Sequence, residues 1–229
     1  MFRIKICGIT SPEDAELVAE AGADAVGFNF FPGSSRCISL ASAEQIAARL
    51  PPEMAKVGLF VNGSLEQIAA SQRAIGFDYL QFHGDEPPEF LGQVRELLPD
   101  VRLIRAIRLK SGTLSEATEY VARCAEQEIP LSAVLLDAYQ HGQYGGTGTT
   151  LDWGNLRDRP VGSAELPWIL AGGLTPRNVK DAILAARPSA VDTASGVENE
   201  PGQKCPVKTR EFVTAARRAF DELDGLSTR

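Results

Sequence analysis

Eight short apolar runs recur from one end of the chain to the other: Ile4 to Cys7, Ala25 to Phe30, Val57 to Val61, Tyr79 to His83, Leu103 to Ile107, Ala133 to Asp137, Trp168 to Ala171 and Ala190 to Thr193. Near-continuous runs of this kind predict strands covered on both faces, as in a parallel sheet flanked by helices. The stretches between them are amphipathic. In the first, Ala15, Val18, Ala19 and Gly22 fall at i, i+3, i+4 and i+7, which makes one packing stripe. Eight strand–helix units close into a (β/α)8 barrel of the TIM type without leaving an edge, and residues 1–229 suit one such domain. An open doubly wound sheet is the alternative.

Local signals mark where the helices start. Ser11-Pro12 and Thr175-Pro176 each place a capping hydroxyl before a proline at the first helical position, and Ser64 and Thr113 stand at capping-box spacing from Gln67 and Glu116. Asn199 to Cys205, with Pro201-Gly202, reads as a surface loop before a last helix over Pro206 to Leu223, and Asp224 to Arg229 is expected to fray. Phe30-Phe31-Pro32 reads as an exposed apolar loop tip.

Composition narrows the partners. With 23 Lys and Arg against 30 Asp and Glu, the formal net charge is -7, which argues against nucleic acid or an anionic membrane surface. No apolar run approaches transmembrane length, and the N-terminus lacks the pattern of a secretory signal, so a cytoplasmic protein with reduced thiols is expected. Cys7, Cys37, Cys124 and Cys205 are far apart and only His83 and His141 join them, so no metal-ligand spacing is present.

In such a barrel the chemistry belongs at the C-terminal ends of the strands. Polar residues collect there. Cys7 ends the first run and Gly8 follows it, so Cys7 is either a small core residue or a general base. Asp137 ends the sixth run, where a carboxyl is either a cap or ion-pair partner, or a general acid if burial raises its pKa. His83 ends the fourth run and is read as orienting a loop. Gly172-Gly173 after the seventh run and Ser195-Gly196 after the eighth are either tight turns or a phosphate site built from backbone N–H groups. The loop over 140–149, with Gly145 and Gly146, is a lid or a plain surface loop, and Arg36 is a carboxylate clamp or a solvated arginine.

Taken together, Lys5-Ile6-Cys7-Gly8-Ile9-Thr10, Ala25-Val26-Gly27-Phe28 with Arg36, Gln81-Phe82-His83-Gly84-Asp85-Glu86, Leu135-Leu136-Asp137, Tyr144-Gly145-Gly146-Thr147-Gly148, Leu170-Ala171-Gly172-Gly173-Leu174 and Val191 to Glu198 resemble, in this order, the phosphoribosylanthranilate isomerases. The resemblance implies an Amadori rearrangement of a phosphosugar–anthranilate substrate in tryptophan biosynthesis. It implies Cys7 as general base, Asp137 as general acid and Arg36 on the anthranilate carboxylate. Gly172, Gly173, Ala194, Ser195 and Gly196 then fall at the phosphate, with Asp192 in support near the sugar. Ala194 departs from the serine or asparagine usual at its position. No cofactor and no metal is implied, and the protein is expected to be a monomer or a homodimer. The rivals are an isomerase of the histidine-pathway aminoaldose, alone or with dual specificity, whose base would be an aspartate where this chain has Cys7, and a non-catalytic barrel that binds sugar phosphates.

Overall fold

A computed structural model describes residues 1–109, 114–137, 153–156 and 166–227. Its eight parallel strands are β1 (Ile4–Cys7), β2 (Ala25–Asn29), β3 (Ala55–Phe60), β4 (Tyr79–Phe82), β5 (Arg102–Arg108), β6 (Ala133–Asp137), β7 (Trp168–Ala171) and β8 (Ala190–Thr193), and they form a closed barrel. β1 pairs with both β2 and β8, so the open sheet is excluded. The helices α1 (Pro12–Glu20), α2 (Leu40–Ala47), α3 (Leu65–Ile75), α4 (Pro88–Leu97) and α5 (Ser115–Glu126) alternate with the strands through β6. A 3₁₀ turn at Trp153–Leu156 lies between β6 and β7, α6 (Val179–Ala186) between β7 and β8, and α7 (Pro206–Ser227) ends the fold. No helix among the described residues is long and apolar enough to cross a membrane.

Strand alternation sorts the side chains. Ile4 and Ile6 of β1 join the outer core beneath the helices, whereas Lys5 and Cys7 face the barrel interior. Following the pairing registers around the barrel, with one residue gained per strand, resolves the interior into layers of four. Cys7, Leu59, Ala106 and Ala171 form one layer. Asn29, His83, Asp137 and Ala194 rim the mouth above it, and Gly27, Gln81, Leu135 and Asp192 lie below. Cys7 thus shares its layer with two alanines and sits above a glycine.

Several local expectations meet a different outcome. Ser11 and Ser64 do cap α1 and α3, accepting from Asp14 N at 3.1 Å and Gln67 N at 3.2 Å. Thr175-Pro176, by contrast, does not open α6. The Asn178 carboxamide holds Thr175 N at 2.7 Å and donates to the Gly173 carbonyl at 3.0 Å, so a turn precedes a helix that begins at Val179. α5 begins at Ser115 after Leu114, with no side-chain cap, and Thr113 lies outside the described residues. Asn199 to Cys205 is not a simple surface loop: β9 (Glu198–Glu200) and β10 (Gln203–Lys204) pair as an antiparallel hairpin around Pro201-Gly202. α7 runs on through Asp224 to Ser227, with Arg3 donating to Asp224 at 2.8 and 3.1 Å, instead of fraying at Leu223. Phe30 is buried and stacks on Phe60 with ring centroids 5.2 Å apart, so of the expected apolar loop tip Phe31 is the exposed ring.

Candidate active site

The rim gathers side chains from strands far apart in sequence. Cys7 is buried at the top of β1, and a Cβ placed on Gly27 would stand 2.6 Å from its Sγ, so only glycine there accommodates the thiol. Burial pushes the Cys7 thiol above its ordinary pKa; the ammonium groups of Lys5 and Lys204 pull the other way, Lys5 through a hydrogen bond as well, and Asp192 adds to the rise. Asp137 tops β6 on the neighbouring upper layer. His83, one residue past β4, sets Nε2 3.6 Å from Asp137 Oδ2, inside ion-pair range but too long for a hydrogen bond.

A brace holds the His83 segment. Buried Arg105 donates to Glu86 Oε2 at 2.7 Å and to the carbonyls of Phe82 at 3.2 Å and Gly84 at 2.8 Å. Glu86 in turn accepts from Gly84 N at 2.9 Å and Asn62 N at 2.6 Å, which ties the loops after β3 and β4 together. The hydrogen bonds that hold this loop come from Arg105 and Glu86, and the His83 ring approaches Asp137.

Below the rim lies a buried ion pair. Lys5 Nζ donates to Asp192 Oδ1 at 2.9 Å across the β1–β8 seam, and the Lys5 side chain is fully enclosed. Gln81, equally enclosed, presents an Oε1 with no partner among the described residues. Neither Lys5 nor Gln81 stood out in the sequence beyond its motif. The available signal was a polar residue inside a run otherwise fit for burial.

The loops after β7 and β8 fit one another closely. Gly172 and Gly173 have φ of 92° and 65°, conformations open to glycine. Thr193 Oγ1 donates to the Leu174 carbonyl at 2.8 Å, and a Cβ on Gly196 would overlap that same carbonyl. Among the described residues, the N–H groups of Gly173, Ser195 and Gly196 donate to no backbone carbonyl. Paired loops with spare amides match the requirements of a bound phosphate. Ala194 precedes the 3₁₀ turn Ser195–Val197.

Arg36 lies in the loop after β2, with its stem across Gly8, where a Cβ would strike the Arg36 Cδ. It is no free surface arginine. Nε donates to Glu198 Oε1 at 2.8 Å and Nη2 to Oε2 at 2.6 Å, leaving Nη1 and the second Nη2 hydrogen for another acceptor. The sequence singled out Arg36 but gave no role to Glu198 or to Lys204, which meets Glu198 from below. Gly145 and Gly146, with the loop over 140–149, lie outside the described residues.

Comparison with known proteins points one way. The family model described as N-(5'phosphoribosyl)anthranilate (PRA) isomerase matches residues 4–215. Among curated relatives, the N-(5'-phosphoribosyl)anthranilate isomerase of Magnetococcus marinus is 45% identical over 96% of this chain and 97% of its own, and that of Rubrobacter xylanophilus is 43% identical over 95% and 100%. The crystal structure of phosphoribosyl anthranilate isomerase from Thermotoga maritima is similar, with a TM-score of 0.79 and 39% identity over 95% of this chain and 100% of that one. A crystal structure of a phosphoribosyl anthranilate isomerase in complex with reduced 1-(o-carboxyphenylamino)-1-deoxyribulose 5-phosphate has a TM-score of 0.77 and 36% identity over the same shares. The chain belongs to the phosphoribosylanthranilate isomerase family.

Proposed function

We propose that the chain converts N-(5-phosphoribosyl)anthranilate to 1-(2-carboxyphenylamino)-1-deoxyribulose 5-phosphate by an Amadori rearrangement in tryptophan biosynthesis, with Asp137 as general acid and Cys7 as general base. The observation that carries this reading is the rim itself: a thiol and a carboxyl on adjacent interior layers, with alanines beside the thiol and spare backbone amides to one side.

In this scheme Asp137 gives its proton to the furanose ring oxygen as the bond from C1 to that oxygen breaks, and the nitrogen lone pair forms a protonated imine. Cys7 removes the proton on C2. The electron pair of that C–H bond becomes the C1–C2 double bond, and the C–N π pair returns to nitrogen. The enolamine then moves its hydroxyl proton to C1, leaving a ketone at C2. Hydrogen is redistributed within one molecule, and the imine is the electron sink, so the chemistry calls for no metal or cofactor. The cationic imine also favours the thiolate beside it, against the burial that raises the thiol pKa.

Arg36 takes the anthranilate carboxylate on its open edge, His83 steadies Asp137, and Asp192 acts through Lys5, whose charge favours the Cys7 thiolate. Gly172, Gly173, Ala194, Ser195 and Gly196 hold the phosphate, and Gly145 and Gly146 enter as substrate-binding residues on the family resemblance alone. The reduced 1-(o-carboxyphenylamino)-1-deoxyribulose 5-phosphate bound to a similar phosphoribosyl anthranilate isomerase supports a small-molecule ligand of this class. A cytoplasmic monomer or homodimer suits such a task.

The test is turnover of freshly generated phosphoribosylanthranilate by the purified protein in buffer with chelator. Conversion to the ketose is expected. A folded protein that leaves this substrate untouched and isomerises the histidine-pathway aminoaldose instead overturns the assignment.

A further inference from the structure

The hairpin of β9 and β10 carries a lysine that should not be where it is on grounds of stability alone. The Lys204 side chain is fully enclosed, and an apolar residue of similar volume usually serves a buried position at least as well. Its ammonium has three hydrogens and meets three acceptors: Glu198 Oε1 at 2.6 Å, the Cys7 carbonyl at 2.7 Å and the Ala194 carbonyl at 3.4 Å. The hairpin is itself anchored, since the Asp14 carboxylate accepts the Lys204 backbone N–H at 3.2 and 3.3 Å and Cys205 N donates to the Val197 carbonyl at 2.8 Å.

The three acceptors belong to the three segments that the reaction has to hold together. Cys7 bears the proposed base, Ala194 begins the proposed phosphate loop, and Glu198 grips the side of Arg36. We propose that Lys204 is a positioning residue for this reaction: by fixing Glu198, the Cys7 carbonyl and the Ala194 carbonyl on one ammonium, it aims Arg36 at the substrate carboxylate and sets the base and the phosphate loop in register with it. Glu198 Oε1 is shared between Arg36 Nε and Lys204 Nζ, so its charge is not spent on Arg36 alone. Arg36 keeps Nη1 and one Nη2 hydrogen clear of Glu198 for a carboxylate ligand. Burial pushes the Glu198 carboxyl up, but the hydrogen bonds from Arg36 and Lys204 outweigh it and hold the group below its ordinary range, ionised between its two partners.

This inference rests on the reading of Arg36 as the carboxylate partner, and one experiment separates the two. Inhibition by reduced 1-(2-carboxyphenylamino)-1-deoxyribulose 5-phosphate is compared with that by its phenylamino counterpart, which lacks the carboxylate, in the wild type, Lys204→Met and Glu198→Gln. The wild type is expected to prefer the carboxylate-bearing inhibitor by about tenfold or more, and both variants to lose most of that preference. Lys204→Met is also expected to lower kcat, because the Cys7 carbonyl loses its donor, whereas Glu198→Gln keeps that contact and changes kcat less. Glu198→Gln alters almost no volume and supplies the test if Lys204→Met does not fold. A wild type with no preference removes the role of Arg36. A wild-type preference retained in either folded variant, with only the melting temperature lowered, makes Lys204 purely structural and overturns the proposal.

Discussion

Cys7 and Asp137 have to handle the protons of one small sugar from strands separated by more than half the chain, so each depends on what surrounds it. Cys7 can approach the interior because Gly27 has no side chain, and it is enclosed tightly enough that burial raises its pKa. Replacing either group removes a proton-transfer partner, which typically contributes about 10²–10⁴-fold. Cys7→Ser and Asp137→Asn are therefore each expected to lower kcat/KM by about that factor while the circular dichroism of the barrel stays unchanged. Near-wild-type turnover by Cys7→Ser would remove Cys7 as the base. The pH dependence follows from the same burial. The base must be deprotonated while the acid is protonated, so kcat/KM of the free enzyme follows a bell with one limb for each group, and the raised thiol pKa puts the upper limb above the ordinary thiol value of about 8.5. An upper limb below that point contradicts the assignment.

At the scale of elements, the decisive features are the two loops that follow β7 and β8 and the hairpin behind them. Gly196 sits against the Leu174 carbonyl with no room for a methyl group, and Thr193 Oγ1 bonds that carbonyl from the other side. Gly196→Ala must push the loops apart, at a cost of about 1–3 kcal/mol for overpacking. Its expected signature is a raised KM and weaker competition by inorganic phosphate, with kcat at saturation much less affected; unchanged phosphate competition would place the phosphate elsewhere. The sequence marked these loops through their glycines, because a turn residue with φ above zero leaves a local trace. Ser11 and Ser64 were equally legible, since a cap and its N–H lie three residues apart. Thr175 misled for a related reason: Asn178, also three residues away, satisfies its N–H and delays the helix. The hairpin left only Pro201-Gly202 as a signal, and a turn dipeptide does not say whether its arms lie on the surface or, as for Lys204, in the interior.

For the whole molecule, closure brings Lys5 and Asp192 together across the seam between the first and last strands. Burial acts to lower the Lys5 pKa, but the charge of Asp192 and the Cys7 side chain outweigh it and hold the ammonium above its ordinary value. Lys5→Met leaves the Asp192 carboxylate buried without its partner, and removing one member of a buried pair costs about 3–5 kcal/mol. Urea unfolding is expected to show that loss. The double variant Lys5→Met/Asp192→Leu should regain much of the stability without regaining turnover, as a pair kept for the site and not for the fold requires. Recovery of turnover as well would deny the pair any part in catalysis.

The eight strands, their order around a helix-covered sheet, the rim where Cys7, His83 and Asp137 collect, and the family are all legible along the chain. All of these are written in short-range periodicity or in motifs a few residues long. Which polar residues meet is a matter of the folded barrel: Arg36 with Glu198 across 162 positions, Lys5 with Asp192 across 187, and Lys204 with the Cys7 carbonyl across 197. Such pairs have no local signature. They exist because barrel closure and its register remove these groups from water, and a buried charge must then find its partner wherever the packing brings one within reach.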